Sequence, residues 1–127
     1  MTPAEVLKWR IARHHLGPAK GTDVVAVARR TGGLHAQVAS SAQASAELRL
    51  AGPAGLDRAL WADRTLVRTW AARGTVHLLP AADLPLWVAA MSTRTRETQG
   101  SWLKYHGVTA GQMRDLRRSR TCSAPNR

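Results

Sequence analysis

The sequence predicts an α+β chain, mostly α, in which a small β-hairpin follows a series of short helices. Three observations carry that prediction. Capping residues and apolar side chains at helical spacing recur from Thr2 onward; the apolar period changes to two between Leu66 and Leu79; and Gly-Gly or Gly-Pro pairs stop each element early.

Thr2, Pro3 and Glu5 form a capping box with proline at the first helical position, and Val6, Leu7, Ile11 and Leu16 carry that helix to about Leu16. Gly17-Pro18 stops it. Thr22 or Asp23 caps a second helix whose Val24, Val27 and Ala28 share a face, and Gly32-Gly33 ends it. Leu34 to Val38 is too short for a helix and alternates apolar with polar, as a half-buried strand does. Ser40 with Gln43 makes a second capping box, opening a helix through Leu48 and Leu50 that Gly52-Pro53 terminates.

A fourth helix, Leu56 to Arg64, puts Leu56, Ala59 and Leu60 on one side and Arg58 and Arg64 on others. The runs Leu66 to Trp70 and Thr75 to Leu79 are β-prone and joined by Ala71-Ala72-Arg73-Gly74, a loop of hairpin length. A further helix is expected from Asp83 to Thr98, with Leu86, Trp87, Ala90 and Met91 as its buried side. Trp61, Trp70 and Trp87 occupy apolar-face positions and are expected in the core. Helix, strand, helix, helix, then hairpin is the order of a winged helix-turn-helix, with Leu56 to Arg64 placed for the major groove and Ala71 to Gly74 as the wing.

This assigns residues 1–100 to one winged-helix domain and 101–116 to a linker and the start of a second, truncated unit, opened by a Thr109–Gln112 capping box. Residues 117–127 are expected to be a disordered basic tail, because the apolar period stops after Met113 and Leu116. From 114 onward there are five arginines and one acid, so +4 of the net +11 lies at that end, as a DNA-binding arm or as the product of a shifted reading frame.

Nineteen Lys+Arg against eight Asp+Glu make the chain attractive to polyanions, of which nucleic acid is the commonest in a cytosol. Sixteen of the nineteen are arginine, alongside 22 alanines, a bias that GC-rich coding also produces, so the sign of the charge carries more meaning than its size. With 44% apolar residues and five Trp, a modest core is affordable and wholesale disorder is excluded. No run is long enough to span a membrane, and the polar start does not read as a signal peptide, so a cytoplasmic, nucleoid-associated protein is expected.

The one cysteine, Cys122, cannot close an intramolecular disulfide and has no Cys or His at zinc-ligand spacing. His14 and His15 diverge by about 100° on a helix and read as a solvated face. No metal is expected. Without a glycine-rich phosphate loop or paired carboxylates, no cofactor is expected either. His77, in line with Thr75 and Leu79, reads as a satisfied histidine of the wing, and Arg29-Arg30 as complements to a helix dipole.

Three blocks occur in a characteristic order: Gly33-Leu34-His35-Ala36-Gln37-Val38, then Leu66 to Trp70 followed by Arg73-Gly74-Thr75-Val76-His77-Leu78, then Ser101-Trp102-Leu103-Lys104-Tyr105. In them the chain resembles the winged-helix DNA-binding proteins that include the AlkZ-like and YcaQ-like bacterial DNA glycosylases, over about residues 4 to 113. Members of that family typically run to about three times this length, with several winged-helix units. The resemblance is to the first unit and the opening of the next.

The family's catalytic motif, glutamine-aliphatic-glutamine or aspartate, aligns with His35-Ala36-Gln37, so His35 and Gln37 are the implied catalytic residues. His35 departs from the motif. In an extended strand residues two apart face one side, so the pair would act together with Ala36 turned away. Excising an N7-alkylated purine needs little help to the leaving group, only a placed water and support for a cationic sugar. Gln37 can hold the water through its carbonyl oxygen and His35 can take its proton. The plainer reading of His35 is a strand histidine donating to a nearby carbonyl, and of Gln37 a surface amide.

Arg58, Arg64, Arg68 and Arg73 cluster about the fourth helix and the wing, where phosphate contacts would fix register on double-stranded DNA. Three functions stay open: a glycosylase that excises alkylated bases or unhooks crosslinks by N-glycosyl hydrolysis, a non-catalytic DNA-binding module, or the inactive remnant of a frameshifted gene. A single unit also leaves room for a partner supplying further winged-helix units.

Overall fold

The structure is a computed structural model that describes residues 1–72, 74–93 and 100–121. Residues 1–91 form one compact unit and 92–127 a second.

In the first unit α1 (Pro3–Arg13) opens with the expected capping box: the Thr2 N–H donates to Glu5 Oε2 at 2.6 Å and the Glu5 N–H to Thr2 Oγ1 at 3.3 Å. It ends at Arg13, short of Leu16, so His14 and His15 lie beyond the helix rather than on its face, His14 as the C-cap and His15 at φ 55°. None of its residues is buried. α2 (Val24–Thr31) is capped by Asp23, which accepts from Val25 and Ala26 N–H, and it closes at Gly32 in the left-handed region. Val24, Val27 and Ala28 form the buried face expected of them.

The expected strand at 34–38 is only two residues long, β1 (Leu34–His35). α3 (Ala39–Glu47) starts without a side-chain cap, because its N-cap is Val38 and the expected cap, Ser40, already lies within the first turn; Gln43 donates forward to Glu47 Oε1 at 2.6 Å. The fourth helix is two turns at most. After Leu56 and Asp57 it widens to a π-helical turn, Arg58–Ala62, that runs to its end, with Leu56 and Ala59 buried. β2 (Leu66–Ala71) and β3 (Thr75–Pro80) form the hairpin, with β3 in the centre of a three-stranded antiparallel sheet of order β1-β3-β2.

The arrangement is winged-helix-like: α2, α3 and the π-helical turn pack on one face of the sheet. Val27, Ala28, Leu34, Ala36, Ala46, Leu66 and Leu78 are each at most 2% exposed at that junction. The small alanines let helix and sheet approach closely. Gly33 sits at a tight point, at φ 102°, where an added Cβ would lie 2.7 Å from Leu79 Cδ2 and 3.3 Å from the Leu78 carbonyl oxygen.

After the hairpin, a 3-10 turn (Ala81–Asp83) leads to α4 (Leu84–Ser92); of the span expected to be helical up to Thr98, residues 94–98 lie outside the described residues. The expected buried side of α4 is not buried: Leu86 is 72% exposed, Ala90 is exposed, and Trp87 and Met91 are half-buried. Trp61 and Trp70, expected in the core, are also exposed. Among the described residues of this unit the core is filled by Leu, Val and Ala, chiefly from α2, α3 and the sheet, and these larger side chains lie outside it.

In the second unit, α5 (Gly100–His106) carries Trp102 over His106, ring centroids 4.1 Å apart. α6 (Ala110–Thr121) opens with the expected Thr109–Gln112 box, formed at 2.8 and 3.2 Å. Its backbone stays helical through Thr121, five residues into the stretch expected to be disordered. Arginine is a good helix former, so losing the apolar period removes a buried face without breaking the helix.

Candidate functional site

β1 is short, yet the alternation continues beyond it. Leu34 and Ala36 point inward, while His35 and Gln37 are exposed. Main-chain pairing runs Leu34↔Leu78 and His35↔His77, and the Ala36 N–H donates to the Val76 carbonyl at 2.8 Å. There the backbone ladder ends, and the side chain takes over: the Val76 N–H donates to Gln37 Oε1 at 3.2 Å. Gln37 is therefore not a loose surface amide. One lone pair of its carbonyl oxygen is engaged, leaving the second to accept from a water.

His35 faces His77 across the strands, with ring centroids 5.4 Å apart and planes at 85°. The Nδ1 of His77 lies 2.9 Å from the Thr75 carbonyl oxygen. A carbonyl only accepts, so that nitrogen carries a proton and donates. Thr69 pairs with His77 from the other side, so His35, His77 and Thr69 lie in one row across all three strands. His77 is half-buried and hydrogen-bonded, as its strand position suggested; its edge-to-face contact with His35 was not anticipated.

The opposite face of the strand is held by Arg68. From β2 its guanidinium reaches over Leu78 and donates through Nη2 to the Ala36 carbonyl at 3.0 Å. Beside it opens a cleft of about 430 Å³, floored by Ala36, Ala42 and Leu78 and rimmed by Gln43, Trp61 and Arg68.

Of the other candidate phosphate contacts, Arg58 is paired with Asp63 at 3.0 Å, both side chains well exposed. Such a pair is worth about 0–1 kcal/mol and leaves most of the guanidinium fork free. Arg64 is exposed and held at φ 53°, a conformation that costs a side chain-bearing residue energy. Arg73 lies outside the described residues. Arg29 is more than a helix-dipole complement: it binds Asp83 with both nitrogens, at 2.8 and 3.2 Å. That hydrogen bond, followed by the charge of Asp83, raises its pKa above the usual arginine value. Arg30 caps a carbonyl of α1, that of Arg13, at 2.9 Å.

Among the described residues no group of three His, Cys, Asp or Glu is placed to hold a metal ion, and no helix is long and apolar enough to cross a membrane. The site is an open, hydrogen-bonded patch on the exposed side of the strand.

The family model of DNA glycosylase AlkZ-like proteins matches residues 28–124, which takes in the whole sheet and both faces just described. The chain belongs to the AlkZ-like DNA glycosylase family. An interstrand DNA cross-link repair glycosylase of Streptomyces sahachiroi is 34% identical over 114 residues, covering 88% of this chain and 30% of that protein. The solved structure of the DNA glycosylase AlkZ from the same organism superposes with a TM-score of 0.81, over 91% of this chain and 32% of that one. This AlkZ-like chain thus spans about a third of the length of the relatives it matches.

Proposed function

We propose that this AlkZ-like chain is a winged-helix unit that binds double-stranded DNA and carries the catalytic pair of a glycosylase acting on alkylated bases or crosslinks. The observation that carries the reading is the common exposure of His35 and Gln37 beside inward-facing Leu34 and Ala36. His35 takes a proton from an attacking water that the free lone pair of Gln37 helps place, and the cationic sugar forms as the bond to an already charged base breaks. Arg58, Arg64, Arg68 and Arg73 supply phosphate contacts that set register.

The test is release of base from N7-alkylated duplex by the full chain. His35→Ala and Gln37→Ala should each abolish release while duplex binding persists; release at wild-type rate in both variants overturns the assignment.

A second reading, a DNA-binding module without catalysis of its own, is supported by the bond that Gln37 already makes to Val76 and by the chain's span of 30% of its relative. It predicts salt-sensitive duplex binding with the DNA left intact.

A further inference from the structure

Two of the largest apolar side chains in the chain stand in solvent, Trp61 at 73% and Trp70 at 64% exposure. They lie on one side of the molecule. Arg68 and Trp70 are two apart on β2 and so face the same way, and their cross-strand neighbours Leu78 and Val76 both face the core. Along that face of β2, Leu66 is fully covered by helix, Arg68 is exposed and Trp70 is more so. The hairpin outruns the helices that cover its base. Trp61, on the π-helical turn, meets Arg68 at the rim of the 430 Å³ cleft, with Ser40 and Gln43 opposite.

Exposed tryptophan is costly unless something covers it, and the charge says what kind of partner does. Arg68 lines this rim with Trp61 and shares a strand face with Trp70; Asp57 is the one acid in the cleft lining, within a chain of net charge +11. Flat aromatic faces beside guanidinium groups fit unpaired nucleobases, which stack on the rings while their phosphates meet the arginines. A paired base inside a duplex offers no face to stack on.

We propose that Trp61, Arg68 and Trp70 form a stacking ledge for unpaired DNA bases, with the adjoining cleft receiving one of them against Trp61. Ala36 floors this cleft while His35 and Gln37 flank it on the other side of the strand, so the ledge is separate from the proposed catalytic face. It shares with the proposed function the premise that the partner is DNA and the side chain of Arg68.

The test uses the full chain with three labelled oligonucleotides: a perfect duplex, the same duplex with a two-thymine bulge, and oligo-dT. The bulged duplex and oligo-dT should bind more tightly than the perfect duplex at equal salt. Trp61→Ala and Trp70→Ala should each erase about tenfold of that preference, and Trp→Phe should keep most of it. Both positions are exposed, so the variants should melt like wild type by circular dichroism, and the Phe variants guard against any that do not.

Equal affinity for bulged and perfect duplex, or Ala variants that bind the bulge like wild type, overturns the ledge while leaving the proposed function untouched. Variants that change self-association in the ultracentrifuge instead of oligonucleotide affinity also overturn it and assign the patch to protein. Bulge preference that survives His35→Ala, with base release lost, keeps both readings.

Discussion

The imidazoles of His35 and His77 meet edge to face with their centroids 5.4 Å apart, on directly paired residues of adjacent antiparallel strands. The Thr75 carbonyl holds His77 through Nδ1, so His77 is a fixed wall against which His35 is set. Catalytic side chains work when their rotamers are locked by such neighbours.

His77→Ala should therefore slow single-turnover base release by about tenfold, less than the roughly 10²–10⁴-fold expected for loss of a general base at His35. Duplex affinity, read by fluorescence anisotropy, should not move. A change in affinity with an unchanged rate would make His77 a DNA contact instead.

Arg68 serves two ends at once, a carbonyl at 3.0 Å and an exposed charge. Arg68→Lys keeps the charge and loses the fork. Its salt dependence of DNA binding should match wild type, while the lost anchor on Ala36 costs about 0.5–1.5 kcal/mol. Faster amide exchange across Ala36 to Val38 would report that loss. Arg68→Ala should in addition lower the slope of log affinity against log salt by about 1.

Gly33→Ala combines a left-handed φ of 102° with a clash against Leu79, which is itself wholly buried. The expected loss is about 1–3 kcal/mol, seen as a lower midpoint in urea with an unchanged slope.

Arg64 holds φ 53° in a residue that is exposed and that makes no core contact. Arg64→Gly should raise stability by about 1 kcal/mol in thermal melts, since glycine adopts that backbone without strain. Duplex binding should weaken in the same variant. Stabilisation without loss of binding would remove Arg64 from the DNA-contacting set.

Capping chemistry and period made most of the first unit, and the start of α6 in the second, legible. Thr2–Glu5 and Thr109–Gln112 close as the residue types demand, Asp23 starts α2, and the switch to period two at Leu66 marks the hairpin. The Ser40–Gln43 pair was misleading because the helix starts earlier, with Val38 as its N-cap, which leaves Ser40 inside the helix and Gln43 free to bond Glu47. Apolar spacing also misplaced Trp61, Trp70 and the side chains of α4. Periodicity reports which residues share a face, and only tertiary structure decides whether anything is there to cover it. For the candidate site, the sequence pointed to the shared side of His35 and Gln37, whereas the links to His77, Val76 and Arg68 join residues more than thirty apart and left no local signal.

The bond from Val76 to Gln37 ends the sheet with a side chain where a main chain would otherwise be needed. A backbone pairing cannot be surrendered alone, because its neighbours in the ladder go with it. An amide on two methylenes can swing away and return at a cost of about 1 kcal/mol, the net worth of one hydrogen bond. Gln37 is in that sense a latch, a single replaceable bond that keeps the edge strand in register where its main-chain pairing stops.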